Sequence, residues 1–251
     1  MSRKNRARGI EQHREDRSEL LASLPLRGQQ IREDLLEVAL THRSFSYENG
    51  EVPHNERLEF LGDSVLGLAV THRLFHLFPD APEGRLSRHK SAVVSMRALA
   101  LLARRHGLGE YIRLGRGEAL SGGRDRSSVL ADTVEAIIGA VHLSLGAEAS
   151  DCFVLDLIDP IIDDDEFLRA EYDYKTRLQE IAAEHDTVPA YEVEDHSADG
   201  VSAYSAVATV AGQVTGRGDG TSKKDAERAA AQQAVLAYCN AHGIEFSVFD
   251  A

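Results

Sequence analysis

Cysteine is scarce in this chain. The two that occur, Cys152 and Cys239, stand far apart, and no CxxC pair is present. A cysteine zinc site and a disulfide framework are both excluded on that count. No uninterrupted apolar run approaches the roughly 18 residues that a membrane span needs. Residues 1–9 are basic and polar, and no apolar segment follows them. An ordinary secretory signal is therefore not expected. A phosphate-cradling loop of the GxxxxGK[ST] type is missing as well, which disfavours nucleotide hydrolysis and a nucleotide cofactor. The expectation is a reduced, soluble, cytoplasmic protein with no membrane partner.

Positive charge is also in short supply. Lys and Arg number 28 against 41 Asp and Glu, for a net charge of −13. Residues 170–251 alone carry six basic and fourteen acidic side chains. If nucleic acid is a partner, it must be gripped by a local cluster, not by the overall field, and the grip should weaken with salt.

The chain divides by its patterning. Helical spacing runs from about residue 20 to 145, with helices expected over 31–41, 55–75, 86–105 and 129–145. Six glycines punctuate the loop between the last two. No strand signal appears before residue 170. The acid run Asp163-Asp164-Asp165-Glu166 suits a solvated hinge. After it come a short amphipathic helix at 174–184, strand-like stretches at 190–194, 204–210 and 213–217, and an alanine-rich helix reaching 238. The boundaries expected are a flexible N-terminus at 1–18, an all-α domain at 19–162, a linker at 163–171, a small α+β domain of α-β-β-β-α order at 172–241, and a tail at 242–251.

The chemistry sits in the helical part. Glu56, Glu59 and Asp63 fall at i, i+3 and i+7 of an otherwise apolar run and share one helix face. Ionised carboxylates on a mostly buried helix need compensation. Residues 129–145 hold just two acids, Asp132 and Glu135, also on one face. Two apolar helices that both present carboxylates suggest convergence into a cage for a hard divalent cation, magnesium first. Structural pairing of these acids with arginines is the alternative. Such a cage suits phosphoryl transfer. Glu83, just ahead of a helix, is a weaker candidate, better explained on its own by the helix dipole or by capping. Near the other end, Ser222, Lys223 and Lys224 open a helix after a glycine-rich loop, a geometry ready for phosphate.

The stretch His54-Asn55-Glu56-Arg57-Leu58-Glu59-Phe60-Leu61-Gly62-Asp63-Ser64-Val65-Leu66 resembles the signature of the ribonuclease III family. Ala39-Leu40-Thr41-His42-Arg43-Ser44-Phe45 is similar to a second family helix. Leu114-Gly115-Arg116-Gly117-Glu118, Ser121-Gly122-Gly123-Arg124 and Ser128-Val129-Leu130-Ala131-Asp132-Thr133-Val134-Glu135-Ala136 are similar to its second catalytic block. Asp173-Tyr174-Lys175-Thr176-Arg177-Leu178-Gln179-Glu180 and Ala226-Glu227-Arg228-Ala229-Ala230-Ala231 resemble the two helices of a double-stranded RNA-binding domain. The resemblance implies a homodimeric endoribonuclease that uses Mg2+, with Mn2+ as a substitute. It would cut duplex RNA to leave 5′-phosphates, 3′-hydroxyls and a 3′ overhang, and process ribosomal precursors and other structured RNAs.

By that resemblance Glu59, Asp132 and Glu135 are metal ligands, and Asp63 and Glu135 are the catalytic pair. Glu56 and Glu83 are supporting acids, and Phe60 packs at the dimer interface. RNA contacts are implied at Gln179, Glu180, His196, Ser222, Lys223 and Lys224. Glu194-Asp195 replaces the family's Gly-Pro before the histidine, and His89 stands where an apolar residue is usual. The alternative class, a regulator that grips duplex RNA without cutting it, would lack a cage carboxylate; Glu59, Asp63, Asp132 and Glu135 are all present here.

Overall fold

A computed structural model describes residues 16–164, 167–169, 172–198 and 200–244. Residues 1–15 of the expected flexible N-terminus, 165, 166, 170 and 171 of the expected linker, and 245–251 of the expected tail lie outside the described residues. Contacts divide the chain into two units, Met1–Leu168 and Arg169–Ala251.

The first unit is helical. Its elements are α1 (Ser18–Ser23), α2 (Glu33–Ala39), α3 (Arg43–Glu48), α4 (Glu56–Leu77), α5 (Glu83–Val93), α6 (Met96–Arg105), α7 (Arg116–Leu120), α8 (Ser127–Leu145) and α9 (Ala147–Ile162). α8 is the central rod. Val129, Leu130, Val134, Ile137, Ile138 and Val141 are all buried, and α2, α4, α6 and α9 pack around it. By length and composition alone α8 could cross a membrane. Counting only uninterrupted apolar runs missed this, because Asp132 and Glu135 interrupt the run. Most of α8 is instead buried inside its own unit.

The single helix expected over 86–105 is two. Ser95 leaves helical geometry (φ −63°, ψ 150°), and its side chain accepts a hydrogen bond from the Ala98 amide. A serine that can cap competes with helix continuation at that point. α9 fills a stretch of the expected all-α domain for which the periodicity names no helix.

The second unit contains α10 (Tyr174–Ala183), β1 (Ala190–Asp195), β2 (Tyr204–Val210), β3 (Gln213–Gly220) and α11 (Lys223–Ala241). The sheet is antiparallel in the order β1-β2-β3. Asp195 pairs with Tyr204, and Tyr204 with Gly220. The end of β1, the start of β2 and the lead into α11 therefore share one end of the sheet. Ala206 and Ala208 are buried towards the helices. Gly216, Gly218 and Gly220 lie so near α11 that a Cβ on any of them would collide with the helix main chain between Asp225 and Ala234.

Candidate active site

The acids are positioned by two crossed helices. A Cβ on Gly62 would overlap the Glu135 carbonyl oxygen, and one on Gly139 would overlap that of Leu58. With glycine at both points the main chains of α4 and α8 touch, and residues one turn from the crossing converge. At the start of α4 the Asn55 amide donates to the Thr41 carbonyl at 2.9 Å. The start of α8 is held by arginines. Arg104 donates to the Asp125 carboxylate (2.7 Å) and carbonyl (2.8 Å). Arg124 donates to the carbonyls of Gly109 (2.9 Å) and Ile112 (3.0 Å).

The result is a compact carboxylate group. One oxygen from each of Glu59, Asp132 and Glu135 lies within 4.8 Å of the others, and all three side chains are half-buried. Burial, reinforced by the neighbouring Asp132, pushes the Glu59 carboxyl above its usual range. Burial also raises Asp132, against the opposing charge of Arg43. Glu135 is pushed up to about 7, first by burial and then by the charges of Asp63, Glu59 and Asp132. Like charges crowded in a partly desolvated site hold protons until a cation relieves them.

The other sequence-predicted residues are placed as follows. Asp63 is exposed on α4, one turn beyond Glu59, and its charge acts on both Glu135 and Glu59. Glu56 is tied to Arg43 at 3.3 Å, with His54 Nδ1 3.7 Å away. Glu83 lies outside the carboxylate group, in the first turn of α5, where Ser87 Oγ donates to it at 2.6 Å. Phe60 is 79% exposed on α4. Sequence reasoning gave Arg43 no role of its own, although its charge opposes the proton uptake of both Glu59 and Asp132. Its position in Thr41-His42-Arg43-Ser44, close before the acid helix, was the available signal.

In the second unit Gln179 is exposed on α10, and Glu180 pairs with Arg177 at 3.1 Å. His196 is exposed just past β1, 3.6 Å from Glu194. Ser222 caps α11, accepting from the Asp225 amide at 3.1 Å, and Lys223 and Lys224 are exposed in its first turn. The register brings the His196 loop and this helix start to the same end of the sheet. Hydrogen bonds from Ser197 hold the Asp195 carboxyl below its usual range, and Lys223 adds to the effect.

A helical unit with a carboxylate cage, followed in one chain by an α-β-β-β-α unit with a lysine-led helix, defines a nuclease with an appended double-stranded RNA-binding module. Comparisons with known proteins agree. Residues 32–161 match the Ribonuclease-III-like family, and residues 174–238 match the double-stranded RNA binding motif. Ribonuclease 3 of Thermobifida fusca is 54% identical over 208 residues, covering 82% of this chain and 87% of that protein. Ribonuclease 3 of Leifsonia xyli is 52% identical over 226 residues, covering 90% and 94%. A structure of the nuclease domain of ribonuclease III from Campylobacter jejuni is 39% identical, with a TM-score of 0.55, over 60% of this chain and 98% of that one. A second structure of that domain is 40% identical, with a TM-score of 0.54, over 58% and 97%, and is described for flexibility in its dimer-forming region. The chain belongs to the ribonuclease III family of endonucleases.

Proposed function

We propose that the protein is a homodimeric, magnesium-dependent endoribonuclease. It hydrolyses double-stranded RNA to 5′-phosphate and 3′-hydroxyl ends with a 3′ overhang, and acts in the cytoplasm on ribosomal precursors and other structured RNAs. The observation that carries this reading is the convergence of Glu59, Asp132 and Glu135 from two helices.

The donor set fits a hard divalent cation. It is all carboxylate, its oxygens lie close enough to share one ion, and each of the three carboxyls is raised by burial. Glu59, Asp132 and Glu135 would hold the ion. Magnesium, or manganese in its place, would lower the pKa of a coordinated water and offset charge on the phosphate oxygens. Asp63, exposed beside this group, would orient the attacking water by accepting a hydrogen bond from it. Glu135 would serve with it, as a ligand that helps to organise that water. Arg43 keeps Glu56 paired and lowers the repulsion among the acids. Glu83, outside this group, would act as a supporting acid.

Phe60, apolar and exposed on the acid helix, packs against a second copy of the chain, so that two sites face one duplex. Gln179, Glu180 and His196 meet the minor groove and its 2′-hydroxyls, and Ser222, Lys223 and Lys224 meet phosphates, a shape-based mode of recognition.

The test is cleavage of an end-labelled RNA duplex with magnesium or with chelator, beside the single strand. Staggered cuts in the duplex alone, abolished by chelator, are expected. Binding without cleavage by folded protein, with either magnesium or manganese, would overturn the reading.

A further inference from the structure

Imidazole nitrogens that face each other are a different kind of donor set from the acids. On the exposed side of α4, His72 and His76 stand at i and i+4. Their Nε2 atoms are 3.2 Å apart, and the ring centroids are 4.5 Å apart with the planes at 75°. Other described histidines are engaged elsewhere: His42 with Ser44, His106 with Ser23, His142 with Ser150 and His242 with the Tyr238 carbonyl. In the 72/76 pair, by contrast, the two ring nitrogens meet each other at hydrogen-bonding distance, one turn apart on the same helix.

We infer that His72 and His76 form a chelate for a borderline divalent cation, zinc in particular, separate from the carboxylate cage. The separation is the first argument. Zinc binds imidazole nitrogen at about 2.0–2.1 Å with tetrahedral angles, so two such nitrogens stand about 3.3 Å apart. The observed 3.2 Å separation matches that spacing. A square-planar ion would draw the pair closer, to about 2.9 Å.

Access is the second argument. Both side chains are exposed, so hydrated metal can reach them and water can complete the coordination shell. A bare imidazole–imidazole hydrogen bond contributes little at such a site, because water competes for both partners. Ligand type is the third. Imidazole favours zinc, copper and nickel, whereas carboxylate favours magnesium. α4 would thus contribute to two sites that sort ions by softness. Nine residues of helix, about 14 Å along the axis, separate Asp63 from His72. Zinc at the pair is therefore too distant to enter the cage.

The consequence is a staple across one turn of α4. His76 meets Phe75 edge-on at 5.6 Å, and Phe75 is exposed. Zinc would fix the ring positions beside this apolar surface and hold the C-terminal half of the helix against fraying.

The test is titration of untagged, full-length protein with zinc chloride in excess magnesium, followed by calorimetry and by thermal melting. A single zinc equivalent per chain and a raised Tm are expected. His72→Ala and His76→Ala should each weaken that binding at least tenfold and abolish the Tm rise. Glu135→Ala should leave both intact. Unchanged zinc binding in the histidine variants would overturn the inference, as would loss of the site in Glu135→Ala or the absence of any zinc event in the parent protein.

Discussion

Gly62 and Glu135 meet main chain to main chain: the space a Cβ at position 62 would need is already filled by the Glu135 carbonyl oxygen. Glu135 belongs to the carboxylate group, and Gly62 sits one turn from Glu59 on the facing helix. The spacing of the acids is thus fixed by a contact that involves no side chain. Gly62→Ala should force the helices apart and destabilise the protein by about 1–3 kcal/mol, the range for overpacking a filled site. Cleavage should fall further than stability explains. Denaturant unfolding, paired with cleavage at a temperature where both proteins are folded, checks this. Gly117→Ala is the control, since open space surrounds that position among the described residues.

Glu135→Ala should reduce cleavage about a thousandfold, equivalent to several kcal/mol of lost charge stabilisation, while duplex affinity stays close to that of the parent. Filter binding beside single-turnover cleavage separates the two. Loss of both in a folded variant would move Glu135 from the chemistry to the RNA grip.

The raised proton affinity of Glu135 makes metal-free stability depend on pH. Its folded value is about 7, against an ordinary 4.5. Folding therefore favours the protonated form. That contribution is fully present below the ordinary value and is lost as pH rises through about 7. In chelator, the Tm difference between the parent and Glu135→Gln should move against the parent as pH climbs from about 5 to 8. Magnesium should restore more stability at the upper end than at the lower. A pH-independent Tm difference between parent and variant would contradict the assigned direction.

Lys223→Ala with Lys224→Ala should weaken duplex binding and reduce the slope of log K against log salt by about two, one for each lost phosphate contact. Binding measured at several salt concentrations tests it. An unchanged slope would place the phosphate grip elsewhere.

Phe60→Ala should shift the monomer–dimer equilibrium towards monomer while leaving the melting of the isolated chain almost unchanged, because the ring is 79% exposed in one copy. Sedimentation across a concentration series reads this directly. An equally tight dimer would reject the role given to Phe60.

The acids were legible in the sequence because carboxylates are conspicuous in an apolar helix and their spacing names a face. The helix crossing that joins them was not. Gly62 and Gly139 look like ordinary small residues until the partner helix is known, since close approach depends on two distant segments at once. The break at Ser95 was missed because Val93, Val94, Met96 and Leu99 keep a helical rhythm through it, and the side-chain cap decides the matter locally. The sheet was easier: alternation along 204–210 matches β2 residue for residue. β3 runs beyond the expected 217 to Gly220, because its glycines carry no hydrophobic alternation to read. His72 and His76 carry no signal as single histidines, and only the helix turn makes them a pair.

Those strand glycines leave one more mark. Where β3 meets α11, the spacing is set by two backbones and methyl groups, with nothing bulky to be traded. The outward residues Glu192, Glu194, Arg217 and Asp219 belong to the other face. The charge of that face can therefore change, towards acid as here, while the spacing between the His196 loop and the lysines of α11 stays set by the strand–helix contact.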